Sequence, residues 1–169
     1  MRRMSAFAAN PIVVAFAVAL TATACASKKV PNSAADLGLG AGAGSQQPGS
    51  TGDFTVNIGD RIYFDTDSSV IRPDAQTTLA RQAQWLNRYP SYTITIEGHA
   101  DERGTREYNI ALGARRAAAT RDFLAARGVA PNRMRTISYG KERPVAACDD
   151  ISCWTQNRRA VTVLGGQGS

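Results

Sequence analysis

The feature that most constrains the fold is a stretch of small and polar residues, 35–52, that has almost nothing to bury. Gly, Ala, Ser, Gln and Thr make up most of it, so we expect a flexible coil. It separates a short apolar segment at the amino end from a balanced sequence that starts near Phe54. Only this last part, about 110 residues, has the composition and size to fold alone. We therefore predict one domain over residues 54–166, preceded by a tether over residues 25–53.

The amino end has the features of an export signal. Two arginines precede an uninterrupted apolar run over residues 12–20. This run is shorter than the ~20 residues that span a bilayer and has the length of a signal-peptide core. It leads into Ala22-Thr23-Ala24-Cys25, which resembles the bacterial lipobox. We predict that residues 1–24 are a lipoprotein signal peptide and that Cys25 is lipidated, while ordinary cleavage after Ala24 is the alternative.

The residues around Cys25 also indicate where the anchor goes. Ala22 stands where lipoboxes usually have Leu, and Ala26 and Ser27 follow the cysteine. In the sorting rule of Gram-negative lipoproteins, an Asp directly after the cysteine favours the inner membrane, so its absence implies the outer membrane. Each buried methylene contributes about 0.8 kcal/mol, so the three chains of a lipoprotein hold firmly without a transmembrane helix.

The two remaining cysteines point to a disulfide. Cys148 and Cys153 enclose a short polar segment, and an exported chain reaches an oxidising compartment in which such pairs form. Two unpaired thiols are the alternative. A metal site is not expected, because no second cysteine pair and no nearby histidine complete a set of four ligands.

Strand and helix patterns alternate through the predicted domain. Alternating apolar residues predict a strand over residues 92–97, and helical spacing predicts a helix that begins at Pro73 and ends at Tyr89. The full set of predicted elements is a strand at 58–64, a helix at 73–89, a strand at 92–97, a helix at 105–127, and strands at 134–139 and 159–164. This β-α-β-α-β-β order favours an α/β (α+β) two-layer sandwich, with the helices on one face of a mixed sheet.

The same patterns predict which side chains face the core. They are Ala75, Leu79, Ala83 and Leu86 on the first helix, Tyr92, Ile94 and Ile96 on the second strand, and Tyr108, Leu112, Ala119 and Phe123 on the second helix. On the last strand, Val161 and Val163 share one face.

A polar segment after the second strand carries the candidate site. The strand is expected to end at Gly98, a turn carries Asp101, and the next helix begins near Thr105 with its free backbone N–H groups facing the same space. Asn109 and Arg116 lie two helical turns apart and therefore on one face. One carboxylate, one guanidinium and a helix N-terminus suit a zwitterion, whose amine would bind Asp101 and whose carboxylate would bind Arg116.

This segment resembles the OmpA-like peptidoglycan-binding domain family. The family pattern Gly-x-x-Asp-x-x-Gly, then Asn-x-x-Leu-(Ser/Gly)-x-x-Arg-Ala, is matched by Gly98, Asp101, Gly104, Asn109, Leu112, Gly113, Arg116 and Ala117. The runs at 63–67, 97–109, 138–140 and 157–161 are similar to the branch of peptidoglycan-associated lipoproteins. The resemblance covers roughly residues 54–164 and implies the OmpA-like fold.

The resemblance implies a ligand, meso-diaminopimelate in the stem peptide of peptidoglycan, whose far end has an amine and a carboxylate on one carbon. Asp101 would bind the amine and Arg116 the carboxylate, with further contributions from Phe64, Asp65, Arg103, Thr105 and Asn109. It also implies TolB and other Tol proteins as partners, a role in envelope integrity and cell division, and no cofactor.

Other interpretations of these residues stay open. Asp101 can cap the second helix, Arg116 can lie on a solvated helix face, and Asn109 can form a buried hydrogen bond. A wall hydrolase is the rival enzyme class, but there is no Gly-x-Ser-x-Gly motif, and the single histidine, His99, cannot supply a zinc site. Nucleic-acid binding is not expected, because the net charge of +6 comes without a run of five basic residues.

Overall fold

The structure, a computed structural model, describes residues 47–167. The predicted signal peptide, the lipidation site Cys25 and most of the tether lie outside the described residues. Residues 47–167 form helices α1 (Thr51–Asp53), α2 (Pro73–Arg88), α3 (Arg106–Ala125) and α4 (Ile151–Asn157), and strands β1 (Arg61–Tyr63), β2 (Tyr92–His99), β3 (Met134–Gly140) and β4 (Arg159–Gln167). No helix in this part of the chain is long and apolar enough to cross a bilayer.

The four strands form one mixed sheet with the order β1-β4-β2-β3. β2 and β3 are parallel, whereas β4 is antiparallel to both of its neighbours. One hydrophobic core joins α2 and α3 to the same face of the sheet. This architecture confirms the predicted α/β sandwich with a mixed sheet.

Helix α2 forms where its sequence predicts. Pro73 occupies the first turn, where the missing N–H removes no hydrogen bond. Its predicted apolar stripe is buried in full, at Ala75, Leu79, Ala83 and Leu86. Arg88 ends the helix, and the backbone N–H of Tyr89 closes it on the carbonyl of Trp85 at 3.0 Å.

Helix α3 lies unusually close to β2. A Cβ atom on Gly98 would lie 1.8 Å from the carbonyl oxygen of Gly113, and one on Gly113 would lie 2.4 Å from the Ser138 Oγ atom. The two glycines therefore let the helix backbone touch the strand backbone. Of the four predicted inward residues on this helix, Leu112 is buried and Phe123 is partly buried against the core. The prediction for Tyr108 was wrong, because that side chain is 44% exposed. The buried residues of α3 are Asn109, Leu112, Gly113, Arg116, Ala117, Thr120 and Leu124.

The first predicted strand is shorter than expected. Strand β1 spans only Arg61–Tyr63, and the preceding Phe54–Gly59 forms a π-helical segment. Phe54 packs against Trp85 with ring centroids 4.9 Å apart, so this segment coils to bury its aromatic ring. Val161 and Val163 do share one face of β4, and it is the outer face, because Ala160 and Thr162 are the buried neighbours.

The residues just before Phe54 pack against the domain, although we assigned them to the tether. The Ser50 side chain caps α1, the Trp85 indole N–H donates to the Asp53 carboxylate at 2.8 Å, and the Tyr92 hydroxyl donates to the Gly49 carbonyl at 2.9 Å. Two aromatic side chains that need polar partners thus hold this segment in place.

Helix α4 was absent from the predicted element order. It begins after Asp150, whose side chain accepts from the Ser152 backbone N–H. Cys148 and Cys153 form the predicted disulfide at its start, with Cα atoms 5.6 Å apart. From β1 onward, the observed order is therefore β-α-β-α-β-α-β, and the short helix α1 precedes it.

Candidate functional site

A groove opens where β2 ends, between the loop that follows β1 and the first turns of α3. Its volume is about 290 Å³. The residues that line it are Thr66, Asp67, Asp101, Arg103, Gly104, Tyr108, Asn109 and Leu112. We call this cavity the groove.

Asp101 is the buried carboxylate of the groove, with 7% of its surface exposed. The Arg103 guanidinium donates to both of its oxygens, at 3.1 and 2.8 Å, and Arg158 approaches from beneath at 3.4 Å. Burial acts to raise the pKa of Asp101, but the hydrogen bonds and charge of Arg103, together with Arg158, hold that pKa below its ordinary value. Asp101 is therefore ionised at neutral pH.

Arg116 lies behind the groove and is completely buried, at 0% exposure. Its guanidinium donates to three backbone carbonyls, those of Ser68 at 2.8 Å, His99 at 2.8 Å and Asp65 at 3.0 Å. Burial lowers the pKa of Arg116 to about 10, against the opposing charge of Asp101, so its charge persists at neutral pH. Arg116 thus fastens the loop after β1 to the end of β2.

The loop that leads into α3 is held by its own side chains. Gly104 has a φ of +85°, the left-handed region that glycine adopts at little cost. The Thr105 hydroxyl caps the helix by accepting from the Tyr108 backbone N–H at 3.2 Å. The Asn109 side chain donates to the Arg103 carbonyl at 2.7 Å, and this bond fixes the turn that carries Asp101.

Asp67 and Tyr108 are groove residues that the sequence interpretation did not assign. The Tyr108 hydroxyl donates to the Asp67 carboxylate, and this hydrogen bond raises the pKa of Tyr108. Asp67 has a φ of 53°, which is uncommon outside glycine and concentrates at functional sites. Their signal in the sequence was membership of the family-like runs, Asp67 in the run at 63–67 and Tyr108 in the run at 97–109.

The predicted site residues divide into two groups. Asp101, Arg103 and Asn109 line the groove, whereas Arg116 and Phe64 are buried behind it. Thr105 caps α3, and Asp65 contributes its backbone carbonyl to Arg116 while its side chain is exposed. Phe64 is buried with its ring 5.2 Å from the Arg116 guanidinium, and its carbonyl accepts from Arg158 at 3.2 Å. Arg158, which belongs to the family-like run at 157–161, links Phe64 to Asp101.

His99 is buried beside the site and is neutral. Burial, followed by the nearby charges of Arg159, Arg143 and Arg61, lowers its pKa to about 4. Within residues 47–167, its two ring nitrogens have no hydrogen-bond partner, and the Glu97 carboxylate lies 3.6 Å from Nε2. The same part of the chain has no group of three or more side chains arranged to hold a metal ion.

The arrangement is suited to recognising charge and not to transforming a substrate. A carboxylate with lowered pKa faces the groove, a buried guanidinium lies behind it, and the first turns of α3 line one side of it. This combination fits a ligand that carries an amine and a carboxylate close together.

Comparison with known proteins places the chain among characterised relatives. The OmpA family model matches residues 63–158. The chain is 71% identical over 169 residues, all of both chains, to a protein of Mesorhizobium japonicum named peptidoglycan-associated lipoprotein. A protein of the same name from Pseudomonas aeruginosa is 39% identical over 94% of this chain and 96% of its own length.

Solved structures give the same fold. The crystal structure of the peptidoglycan-associated lipoprotein from Burkholderia pseudomallei has a TM-score of 0.61 and 45% identity, and the match covers 63% of this chain and 90% of that one. The C-terminal domain of Helicobacter pylori MotB has a TM-score of 0.59 at 26% identity, covering 63% of this chain and 84% of that one.

Proposed function

Because the chain belongs to the OmpA family, we propose that it is an outer-membrane lipoprotein that binds the diaminopimelate stem peptide of peptidoglycan. The observation that carries the proposal is the groove, in which an ionised Asp101 lies in front of the buried charge of Arg116. As a member of this family, the protein is not an enzyme, in agreement with its sequence.

The ligand is matched to the groove by charge and by size. The free end of meso-diaminopimelate carries one amine and one carboxylate on the same carbon, so it is a small zwitterion at neutral pH. A cavity of about 290 Å³ is at the small end of ligand sites, suited to one amino-acid-like group. The rest of the peptide and the glycan would remain outside.

Asp101 is the partner of the ligand amine. Its carboxylate is positioned by Arg103, by Arg158 and by the turn that Asn109 holds, so the amine can replace one of these side-chain donors without rearrangement of the backbone. A charge-assisted hydrogen bond between an ammonium and a largely buried carboxylate is shorter and stronger than a neutral one.

Arg116 is the partner of the ligand carboxylate. Three of its N–H groups hold the carbonyls of Asp65, Ser68 and His99, and a guanidinium has five N–H groups in total. The ligand carboxylate reaches Arg116 by displacing the loop carbonyls of Asp65 and Ser68, which are weaker acceptors than a carboxylate. Phe64 and Asp65 then contribute backbone groups, and Thr105 keeps the α3 N-terminus in place.

The remaining parts of the proposal concern the cell. Cys25 carries the lipid that holds the chain in the outer membrane, with the domain facing the periplasm, and the tether spans the distance to the wall. TolB and other Tol proteins are the proposed protein partners, and the system supports envelope integrity and cell division. Replacing Cys25 with Ser should release the protein into the soluble periplasmic fraction; if it remained with the outer membrane in cells lacking wall contact, this anchor would be rejected.

The binding site is tested by pulldown with purified sacculi. Asp101→Ala and Arg116→Ala should each abolish binding, because each leaves one charge of the ligand unpaired. Asp122→Ala is the matched control, since it removes a carboxylate that pairs with Arg121 on the exposed part of α3. Circular dichroism checks that each variant is folded at the assay temperature. Wild-type binding by both folded site variants would contradict the proposal.

A further inference from the structure

The carboxylate of Asp101 is already saturated with hydrogen bonds from the protein itself. Oδ1 accepts from the backbone N–H of Arg103 at 3.3 Å and from its Nε at 3.1 Å. Oδ2 accepts from Arg103 Nη2 at 2.8 Å and from Arg158 Nη1 at 3.4 Å. An ionised carboxylate offers about four acceptor positions, so an incoming amine must displace one of these donors.

The displaceable donor is the side chain of Arg103. Arg158 is only 6% exposed, and its Nε is committed to the Phe64 carbonyl. The Arg103 side chain, in contrast, is 41% exposed and occupies the mouth of the groove. A cation there fills the position that suits a ligand ammonium.

Trp154 holds the Arg103 guanidinium over Asp101. The Arg103 guanidinium carbon lies 4.2 Å from the centroid of the indole ring, which is a close cation–π contact. The indole N–H donates to the Glu102 carboxylate, so the orientation of the ring is fixed. The ring also has a rigid base, because α4 is tied at its start by the Cys148–Cys153 disulfide.

We propose that Arg103 is an internal competitor for Asp101, and that Trp154 is the positioning residue that holds it there and so limits the affinity for the wall. This inference rests on the proposed function, since it assumes that a ligand amine binds Asp101. In the position in which the Arg103 guanidinium donates to Asp101, it also contacts the indole ring of Trp154. An amine that displaces Arg103 therefore has to break both contacts.

The first test is a double-mutant cycle on binding. The full chain in detergent is titrated calorimetrically with a soluble stem tripeptide that ends in diaminopimelate. Trp154→Ala should tighten binding about two- to fivefold, the range given by a cation–π contact at an exposed site, while Trp154→Phe keeps an aromatic face and should change affinity less. In an Arg103→Ala background, Trp154→Ala should have no effect. Weaker binding by Trp154→Ala, or an equal effect in both backgrounds, would overturn the inference.

The second test does not need the ligand. The pKa of the Asp101 side chain is followed by carboxyl ¹³C NMR in the same variants. Trp154→Ala should move this pKa upward toward its ordinary value, because Arg103 is held less firmly. In the Arg103→Ala background, Trp154→Ala should leave the pKa of Asp101 unchanged. An unchanged pKa in Trp154→Ala would refute the positioning role. If the tripeptide bound no variant while this titration behaved as expected, the proposed function would fail and the link from Trp154 to Asp101 would stand.

Discussion

The two long helices of the domain bury different kinds of surface. Helix α2 buries an apolar stripe that includes Leu79 and Leu86, both at 0% exposure. Helix α3 buries a mixed face, on which Asn109, Arg116 and Thr120, each at most 2% exposed, lie among leucine, alanine and glycine residues. Both helices pack on the same face of one sheet, so the layer has an apolar half and a half in which polar side chains are buried as well.

The difference between the helices assigns separate tasks to the two halves. Burial of apolar side chains stabilises the α2 half by about 25 cal/mol per Å² removed from water. In the α3 half, the buried polar groups are tolerated because they are hydrogen-bonded, as Arg116 is to three carbonyls. Those bonds fix the two loops that form the groove, so the α3 half gives up apolar packing in exchange for a defined binding site.

The first and largest expected effect is at the contact between α3 and β2, which holds the α3 half against the sheet. Gly98→Ala places a methyl group 1.8 Å from the Gly113 carbonyl, so the helix must move away from the sheet. We expect a loss of about 5 kcal/mol in unfolding free energy, or failure to fold, measured by urea denaturation. Gly166→Ala is the control, because a Cβ there meets nothing within 4 Å. A stable Gly98→Ala variant that binds sacculi would show that the close approach is dispensable.

The second prediction separates stability from binding. Leu79→Ala should lower the free energy of unfolding by about 3 to 4 kcal/mol, as for other fully buried leucines. Wall binding per folded molecule should not change, because Leu79 belongs to the α2 half, away from the groove. Urea denaturation measures the first quantity, and sacculus pulldown at low temperature measures the second. Loss of binding by the folded Leu79→Ala variant would mean that the two halves are coupled.

The third prediction concerns the pH dependence of His99, whose carbonyl accepts a hydrogen bond from Arg116 of the α3 half. His99 has an ordinary pKa of 6.5, and burial followed by the charges of Arg159, Arg143 and Arg61 lowers this to about 4 in the fold. The stability that neutral His99 allows is fully present above pH 6.5 and is lost as the pH falls toward 4. The free energy of unfolding falls by about 3 kcal/mol once His99 is protonated in both the folded and the unfolded protein.

The variant His99→Phe isolates this effect. Phenylalanine fills a similar buried space without a proton to gain, so the difference in unfolding free energy between wild type and variant should change between pH 6.5 and pH 4. Other carboxylates titrate in both proteins and cancel in the difference. A difference that stays constant across this range would mean that His99 does not titrate as its burial implies, and that Glu97, 3.6 Å away, supports its charged form.

The same contrast explains which parts of the structure could be predicted from the sequence. Apolar periodicity located α2 and strand β2 with their inward residues, because in that half burial follows hydrophobicity. In α3 the periodicity favoured Tyr108 over Asn109, since a pattern of apolar residues cannot identify a buried face that carries polar side chains. Asp101 was found through its motif, which lies in one short segment.

What the sequence could not provide was contact between distant residues. Arg158 reaches Asp101 across 57 positions, and Arg116 reaches the Ser68 carbonyl across 48. Helix α4 was also missed, since its seven residues are too few to establish a period and its start depends on the Asp150 cap and the disulfide. Contacts between residues that are far apart in the chain depend on the tertiary fold, so they leave no pattern in the local sequence.

The smallest expected effect concerns that disulfide. It closes a short loop, so replacing Cys148 and Cys153 together with Ser should cost about 2 kcal/mol in unfolding free energy, chiefly because the unfolded chain gains freedom. A reducing agent should lower the stability of the wild type by the same amount and leave the double variant unchanged, which serves as the internal control.

The local consequences of the same change show to which half of the domain α4 belongs. Without the bridge, the first turn of α4 keeps only its Asp150 cap, so its amides should exchange faster with deuterium. The loosening should extend to Arg103 through Trp154, which lies 4.2 Å from it, and should not reach the apolar stripe of α2. Faster exchange in α2 at equal global stability would contradict the division, because it would mean that the bridge supports the apolar half as well. Faster exchange that is confined to α4 and the groove loops would show that the disulfide supports the binding site.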